Sequence, residues 1–453
     1  MRAGNPPLQA LSRLEAELRS RSRFGVRPGL GRMRAALKDL DHPERAYEIL
    51  HVAGTNGKGS ISLYLSSCLL EAGYRVGTYL SPHLRDLGER FLWQGSPAPG
   101  EELGAAFLEL EPSLPPEATE FELLTLLGYV LFRRLGAEVL VQETGLGGRL
   151  DATNVPEKGA GAAIGLIGFD HQEVLGSSLA GIAREKAAIL KPGMVAAAAP
   201  GPREVRKALE EAARAAGAEI RLGGQDFSFR VGEISLRGTR FDYRGRRWRM
   251  ENLFLRLPGG HQALNAAVTL ALLEALEERG WKVKEEEIRR GLGEAFLPGR
   301  GEVREVEGRT VVLDTAHNPQ AARALSAWLR RAAPEKAERG MLVVAGLLRD
   351  KDAPGFLGPL LSLGRSFFLA PPESPRARPP EELLAFLPPG REALTFSSPG
   401  EAFRAALESS HPGEVILVTG SFYLVGPVLC DGVGDGSRWR FDFRPGLTRP
   451  PDW

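Results

Sequence analysis

The chain has 453 residues, of which 43 % are hydrophobic and 25 % charged, so it falls in the globular range and can bury large cores. At about 150 residues per domain, this length predicts two or three domains. A formal net charge of +1 gives no overall attraction to nucleic acid or to an anionic membrane, and neither is expected as a partner.

Cysteine usage and the N-terminal sequence indicate the cellular compartment in which the protein is expected. Cys68 and Cys430 cannot form a disulfide framework and show no metal-ligand spacing, which fits a reducing environment. Residues 1–30 lack the apolar stretch of a signal peptide, and no run approaches the roughly 20 apolar residues of a membrane span. We therefore expect a soluble, cytoplasmic protein.

The first half of the chain alternates continuous apolar runs with helical patterns such as FELLTLLGYVLFRRLG. Buried strands are predicted at 47–54, 74–81, 137–145, 162–170 and 193–199. Continuous rather than alternating apolar strands, interleaved with helices, indicate a mainly parallel sheet with helices on both faces. The fold class is therefore α/β.

The pattern changes in the middle of the chain. Residues 226–257 alternate polar and apolar side chains around a Gly-Arg turn, which predicts an antiparallel β insertion attached to the first domain. After the Pro- and Gly-containing segment FLPGRGE, strand patterns restart with TVVLDTAHN and GMLVVAGLL. We therefore predict a large N-terminal α/β domain over 1–296, a smaller Rossmann-like α/β domain over 297–436, and a tail over 437–453 without an assigned function.

The stretch HVAGTNGKGS follows the first strand and opens a helix, the context of a phosphate-binding loop (P-loop). It departs from the usual spacing because Val52 replaces the first Gly, and Gly59 separates Lys58 from Ser60. The glycines would let backbone N–H groups approach phosphate oxygens, with Lys58 bridging the β- and γ-phosphates. The alternative is an ordinary strand-to-helix turn with a solvated lysine.

Three further side chains occupy positions typical of ligand sites. Glu143 ends an apolar strand, where a carboxylate can hold the Mg²⁺ of MgATP. His171 follows the strand expected at 162–170 and can bind a divalent cation as a neutral imidazole. Lys186 lies in the helical segment REKAAIL, where a lysine is ordinarily solvated. Taken singly, each is explained more simply as a surface or hydrogen-bonded residue.

Segments spread along the chain together resemble the folylpolyglutamate synthase/dihydrofolate synthase family, a branch of the Mur ligases. In order they are HVAGTNGKGS, YLSPHL, ETGLGGRLDATN, DHQEVLG, AREKAAILKPG, GGHQALNAA, PGRGE, LDTAHNP and TGSFYLVG. The resemblance explains the extra Gly59, because GTNGKGS is this family's form of the loop. The sequence departs from the family at Thr315, where Gly is usual, and at Thr144, where Val is common.

The resemblance implies a metal site with two Mg²⁺ positions. Ser81, Glu143 and His171 match metal ligands, and Lys186 matches a lysine that family members carry as a carbamate made with CO₂. CO₂ adds to a neutral amine, and the resulting anion can lie beside a dication that a protonated lysine would repel. Lys186, His171 and Lys58 are the predicted catalytic residues.

The resemblance also assigns residues to the nucleotide and the substrates. The predicted ATP-binding residues are Thr55, Asn56, Gly57, Lys58, Gly59, Ser60, Asn265, Arg300 and Asp314. The predicted substrate-binding residues are Phe121, Glu122, Leu150, Asp151 and Ala152 on the pterin side, with His317 and Ser421 for the incoming glutamate. Because Arg300 and Asp314 lie at or beyond the predicted boundary, closure of the second domain would complete the nucleotide site.

The implied activity is that of an ATP-dependent amide ligase. A substrate carboxylate would take the γ-phosphoryl group of MgATP, and the amino group of L-glutamate would then displace phosphate to form an amide. The acceptor would be dihydropteroate, a reduced folate or both, and a monomer is expected. Two alternatives stay open: another Mur-type ligase acting on a cell-wall precursor, and a nucleotide-dependent switch or motor.

Overall fold

A computed structural model describes residues 6–21, 24, 25 and 27–431, so the predicted tail at 437–453 lies outside the described residues. The helices are α1 (Pro6–Arg21), α2 (Gly31–Asp39), α3 (Lys58–Glu71), α4 (Gly100–Leu110), α5 (Glu120–Arg134), α6 (Gln172–Leu175), α7 (Leu179–Ala187), α8 (Arg203–Ala216), α9 (Gly260–Glu277), α10 (Glu285–Glu294), α11 (Pro319–Ala332), α12 (Pro334–Arg339), α13 (Ala353–Leu360), α14 (Pro380–Leu384), α15 (Pro399–Glu408) and α16 (Phe422–Asp431). The strands are β1 (Glu48–Ala53), β2 (Val76–Tyr79), β3 (Phe91–Trp93), β4 (Ser96–Pro97), β5 (Val139–Glu143), β6 (Gly161–Ile164), β7 (Val195–Ala198), β8 (Glu219–Leu222), β9 (Ser228–Ser235), β10 (Gly238–Arg244), β11 (Arg249–Leu255), β12 (Glu302–Val306), β13 (Arg309–Asp314), β14 (Met341–Ala345), β15 (Gly364–Leu369), β16 (Glu392–Thr395) and β17 (Val415–Thr419).

The first sheet has eight strands in the order β4-β3-β2-β5-β1-β6-β7-β8. Strands β2, β5, β1, β6, β7 and β8 run parallel, and β3 and β4 form an antiparallel edge. One face packs on α3 and α9 through Leu65 and Leu272, and the opposite face packs on α4 and α5 through Phe107 and Leu127. Burial on both faces explains why these strands are continuous apolar runs, and the predicted mainly parallel sheet is confirmed.

The strand predicted at 162–170 is too long. β6 ends at Ile164, because the chain then leaves the sheet to pack against the phosphate loop, where the carbonyl of Leu166 accepts the N–H of Thr55 at 3.0 Å. His171 therefore follows a loop and does not end a strand. Edge strands such as β4, β8 and β16 were not predicted, because they are too short or too polar to form a continuous apolar run.

The antiparallel insertion predicted at 226–257 is confirmed as a three-stranded sheet in the order β11-β10-β9. Phe241 and Leu253 bury one of its faces in the same core as α9. The indole N–H of Trp328, on α11, donates to the carbonyl of Ser235 at 3.1 Å. This small sheet therefore contacts both larger units.

The second large sheet has six strands in the order β12-β13-β17-β14-β15-β16, parallel except for β12. Apolar side chains fill both of its faces, with Leu325 and Phe356 on one side and Phe403 and Leu424 on the other. It is the smaller α/β unit expected from the sequence, while the division of the chain at 297 stays a prediction. Within the described part of the chain, no helix has the length and apolar character needed to cross a membrane.

Candidate active site

The turn between β1 and α3 depends on glycine. Gly57, the last residue before α3, has a φ of +87°, in the region that favours glycine. A Cβ at this position would lie 2.2 Å from the side-chain oxygen of Asn265. Among the described residues no side chain caps the start of α3, so its first N–H groups can bind an anion.

The extra glycine of the loop, Gly59, lies beside Glu143. A Cβ here would be 3.3 Å from Leu297 and 3.5 Å from a carboxylate oxygen of Glu143. A longer side chain would therefore hold the start of α3 away from that carboxylate. The ammonium of Lys58 lies over the loop, 3.3 Å from the carbonyl of Gly54.

Glu143 is a buried carboxylate at the C-terminal end of β5. Its pairing with Val52 in β1 brings it beside the loop, and one of its oxygens accepts the N–H of Ser81 at 3.1 Å. Burial raises the pKa of Glu143, and the positive charges of Lys58 and Arg300 act against that rise. A further cation beside this carboxylate would therefore be stabilising.

Lys186 is buried on α7, with 4 % of its surface exposed. The loop after β5 holds α7 in place, because the N–H of Arg149 donates to the carbonyl of Glu185 at 3.0 Å, and a Cβ on Gly148 would lie 2.5 Å from the same oxygen. Burial and the charge of Lys58 lower the pKa of Lys186 from 10.5 to about 7. A large share of the amine is thus neutral near pH 7, as carbamate formation requires.

Asp170 and His171 follow β6 of the first sheet and contact a loop of the second unit. The ammonium of Lys351, on the loop after β14, is 2.7 Å from Asp170 Oδ1 and 3.2 Å from His171 Nε2. Burial opposes the ionisation of Asp170, but Lys351 and the rings of His171 and His317 outweigh it and hold its pKa well below the usual range. Neither Asp170 nor Lys351 was predicted as a site residue. Asp170 begins the quoted motif DHQEVLG, whereas the only signal at Lys351 was a polar triplet directly after an apolar run.

The second unit contributes Arg300, Asp314 and His317. The guanidinium of Arg300 lies over the ring of Phe422, 4.9 Å from its centre. Asp314 ends β13 and accepts two backbone N–H groups, at 2.8 and 2.9 Å. His317 Nδ1 is 2.8 Å from the carbonyl of Thr315, and burial lowers the pKa of His317 to about 4, so its ring is neutral at pH 7.

Side chains from both units line one cavity of about 240 Å³ between them. The predicted residues that line it are Thr55, Asn56, Gly57, Lys58, Gly59, Ser60, Ser81, Glu143, His171, Lys186, Asn265, Arg300, Asp314 and His317. His261, Gln320 and Phe422 also line the cavity, and none of them was predicted as a site residue. His261 and Phe422 stood within or beside quoted motifs, but nothing in the sequence showed that Gln320 turns toward the loop.

Other predicted substrate-binding residues do not line this cavity: Phe121, Glu122, Leu150, Asp151, Ala152 and Ser421. Two of the carboxylates have structural partners, since Glu122 caps α5 and accepts from Arg32 at 3.0 Å, and Asp151 accepts the N–H of Leu146 at 2.7 Å. Phe121 approaches the cavity through Gly145, where a Cβ would lie 2.5 Å from its ring. Their roles in substrate binding stay predictions.

The described residues contain no group of three His, Cys, Asp or Glu side chains placed to hold a metal ion. The predicted metal ligands are Ser81, Glu143, His171 and Lys186. Only two of them are His, Cys, Asp or Glu, and the lysine becomes anionic only as a carbamate. The surroundings fit such a site. A dication would stabilise the buried anion of Glu143 and a second anion formed from the neutral amine of Lys186.

Comparisons with a protein family, with relatives and with solved structures agree with one another. Residues 299–422 match the family described as Mur ligase, glutamate ligase domain. A relative from Bacillus subtilis (strain 168), named dihydrofolate synthase/folylpolyglutamate synthase, is 32 % identical over 421 residues, covering 91 % of this chain and 96 % of the relative. The structure of E. coli FolC in complex with DHPP and ADP is 34 % identical, with a TM-score of 0.82 and coverage of 94 % of this chain and 97 % of that one. A bifunctional folylpolyglutamate synthase/dihydrofolate synthase with Mn, AMPPNP and L-glutamate bound is 32 % identical, with a TM-score of 0.80 and coverage of 92 % and 97 %.

The similarity extends over nearly the full length of these proteins and includes both large sheets. It confirms the resemblance seen in the motifs and does not favour a ligase acting on a cell-wall precursor. The chain belongs to the dihydrofolate synthase/folylpolyglutamate synthase family and is an ATP-dependent ligase that adds glutamate.

Proposed function

We propose that the cavity between the two units is where MgATP activates a carboxylate and L-glutamate captures it. The carboxylate would belong to dihydropteroate, to the glutamate tail of a reduced folate, or to both. The observation that carries this proposal is that Lys58, Glu143 and Lys186 share the cavity with Arg300 and His317 from the other unit. Such a reaction needs cations for the phosphates, anions for a metal, and a polar pocket for a second substrate.

The nucleotide would lie along the phosphate loop. The first N–H groups of α3 and the ammonium of Lys58 would bind the β- and γ-phosphates. Asn265 would contact the adenine end and Asp314 the ribose, while Arg300 would add positive charge at the transferring phosphoryl group. Charge stabilisation at that group supplies most of the catalysis in reactions of this class.

Ser81, Glu143, His171 and the carbamate of Lys186 would hold Mg²⁺, and the Mn in a similar structure supports a divalent cation here. Bound Mg²⁺ would offset the negative charge on the phosphate oxygens. Lys186 would form the carbamate by adding CO₂ to its neutral amine with release of a proton, and its pKa of about 7 supports that step.

The second substrate would meet His317. Because the carbonyl of Thr315 can only accept, Nδ1 of His317 carries the ring proton, and Nε2 is left as an acceptor for the amino group of glutamate. After the carboxylate attacks the γ-phosphorus and ADP leaves, the amine attacks the acyl carbon of the acyl phosphate, and phosphate departs. Ser421 is the other residue predicted to contact glutamate.

A nucleotide-dependent switch or motor would need neither the buried amine of Lys186 nor glutamate. Glutamate-dependent release of ADP would exclude it. We also propose that the protein acts as a monomer and that its substrates are small molecules. The net charge of +1 supports small-molecule substrates, because it offers no broad attraction for polyanions.

The test uses purified protein with MgATP and labelled glutamate, offered dihydropteroate in one reaction and tetrahydrofolate in another. Labelled product in the first reaction shows dihydrofolate synthase activity, and product in the second shows folylpolyglutamate synthase activity. No product in either reaction, with ADP release independent of glutamate, would overturn the proposal.

A further inference from the structure

Asn318 has its amide orientation set by a helix. It precedes α11, and its Oδ1 accepts the N–H of Ala321 at 2.9 Å, which caps the first turn. Because the oxygen faces that N–H, the amide nitrogen turns toward the first sheet and donates to Asn56 Oδ1 at 3.0 Å and to Asp170 Oδ2 at 3.1 Å. The cap therefore decides which end of Asn318 meets the phosphate loop.

The same reasoning fixes the amide of Asn56. Its Oδ1 accepts from Asn318, so its nitrogen is the donor on the other side, and it donates to Gln320 Oε1 at 2.6 Å. A longer contact of 3.4 Å joins the same nitrogen to Asn318 Oδ1. Asn56, Asn318 and Gln320 thus form a chain of matched donors and acceptors, here called the amide clasp.

The clasp lies where the phosphate loop packs on the segment around Gly168. Thr55, next to Asn56, places its hydroxyl 3.0 Å from both the N–H and the carbonyl of Gly168. Gln320 packs on this same residue, since a Cβ on Gly168 would lie 2.7 Å from Gln320 Oε1. Gln320 therefore contacts both the loop and the segment that holds it.

We propose that Asn318 and Gln320 are positioning residues, which hold the phosphate loop in its binding shape from the second unit. A glycine-rich turn has many conformations open to it, and fixing one before the ligand arrives removes an entropic cost from binding. The clasp would therefore make tight nucleotide binding depend on contact between the two units. This proposal rests on the proposed function, because it concerns the same cavity.

Two substitutions should break the clasp, one in Gln320 itself and one in Gly168, on which Gln320 packs. Gln320→Ala removes the acceptor and leaves the cap on α11 intact, because Asn318 supplies that cap. Gly168→Ala adds a methyl group that displaces the flexible end of Gln320. Arg323→Ala is the matched control, because Arg323 is an exposed residue on the same helix.

The first measurement is the KM for ATP in glutamate-dependent ADP release. Gln320→Ala and Gly168→Ala should each raise it about fivefold, the size expected for one neutral hydrogen bond, while Arg323→Ala matches the wild type. The double variant should be no worse than either single variant, because both changes remove the same contact. A wild-type KM in Gln320→Ala, or effects that multiply in the double variant, would overturn the clasp.

The second measurement does not depend on catalysis. Hydrogen exchange of the amides at 55–60 in nucleotide-free protein should be faster in Gln320→Ala and Gly168→Ala than in Arg323→Ala. Equal exchange in all three variants would overturn the clasp. Faster exchange in both clasp variants, together with a wild type that releases no ADP in response to glutamate, would support the clasp and overturn the proposed function.

Discussion

Lys186 is buried beside a second positive charge, that of Lys58, and burial with this charge lowers its pKa to about 7. The neighbouring ammonium has opposite effects on the two forms of the residue. It disfavours a protonated Lys186 and would stabilise a carbamate at the same position. The charge of Lys58 therefore disfavours the cationic form of Lys186 and would favour the predicted carbamate.

Replacement of Lys186 by alanine should abolish ligation and leave most nucleotide binding, because it removes the carbamate and not the phosphate loop. Glutamate-dependent ADP release measures the first effect, and equilibrium binding of a non-hydrolysable ATP analogue measures the second. Lys207→Ala, which changes an exposed lysine on α8, is the control and should keep wild-type values. Wild-type turnover in Lys186→Ala would refute the carbamate role.

The pKa of Lys186 also predicts how stability changes with pH. Since the folded value is about 7 and the ordinary value 10.5, the unfolded chain binds more protons between these limits, and the contribution of Lys186 to the free energy of unfolding rises with pH there. Lys186→Met removes the buried amine and should therefore raise the free energy of unfolding. This gain should be largest below pH 7 and shrink toward pH 10.5. Urea unfolding in CO₂-free buffer tests this, and a difference that does not change with pH would contradict a buried amine.

Among the secondary-structure elements, α7 owes its position to the loop after β5. That loop approaches α7 so closely that only glycine fits at 148, because the nearest atom is the backbone oxygen of Glu185 and cannot rotate away. The geometry of Lys186 on α7 is therefore coupled to the strand that ends in Glu143.

Gly148→Ala should push α7 away from the loop and lower both stability and ligation rate. The expected loss is about 1–3 kcal/mol in the free energy of unfolding, typical of overpacking. Gly400→Ala on α15 is the matched control, because a Cβ there meets nothing within 4 Å. Urea unfolding and ADP release would be measured for both, and equal behaviour of the two variants would contradict the close approach.

For the whole molecule, the Asp170–Lys351 pair is the main buried charge contact between the two units described here. The side chains are 12 % and 6 % exposed, and Lys351 also lies 3.5 Å from Asp350. Lys351 is the largest single source of charge compensation for Asp170. Together with the amide clasp, this pair joins the edge of the first sheet to the loops of the second. The cavity is therefore closed by polar contacts and not by an apolar interface alone.

Lys351→Met should destabilise the protein by about 3–5 kcal/mol, because it leaves Asp170 buried without its partner. Asp170→Asn in the same chain should recover part of that loss, since no charge then remains unpaired. Urea unfolding of the two single variants and the double variant gives the coupling free energy. If the losses in the free energy of unfolding are additive, the coupling free energy is zero and the interaction between Asp170 and Lys351 contributes nothing to stability.

Several features of the fold were predictable from local patterns. Buried parallel strands such as β1 and β5 appear as apolar runs because helices cover both faces of the sheet. Edge strands such as β16 were missed because a mostly exposed strand of four residues has no such run. His171 was placed at a strand end because the sequence showed no sign that the chain leaves the sheet at Ile164.

Element order, the glycine turn before α3 and the family motifs follow from the sequence, because apolar periodicity and backbone freedom are properties of neighbouring residues. The neutral amine of Lys186, the Asp170–Lys351 pair and the contact of Gln320 with the loop were not accessible from it. They arise where two separately formed sheets pack together, and a pKa or a hydrogen bond depends on whichever charges and donors that packing brings within a few ångströms.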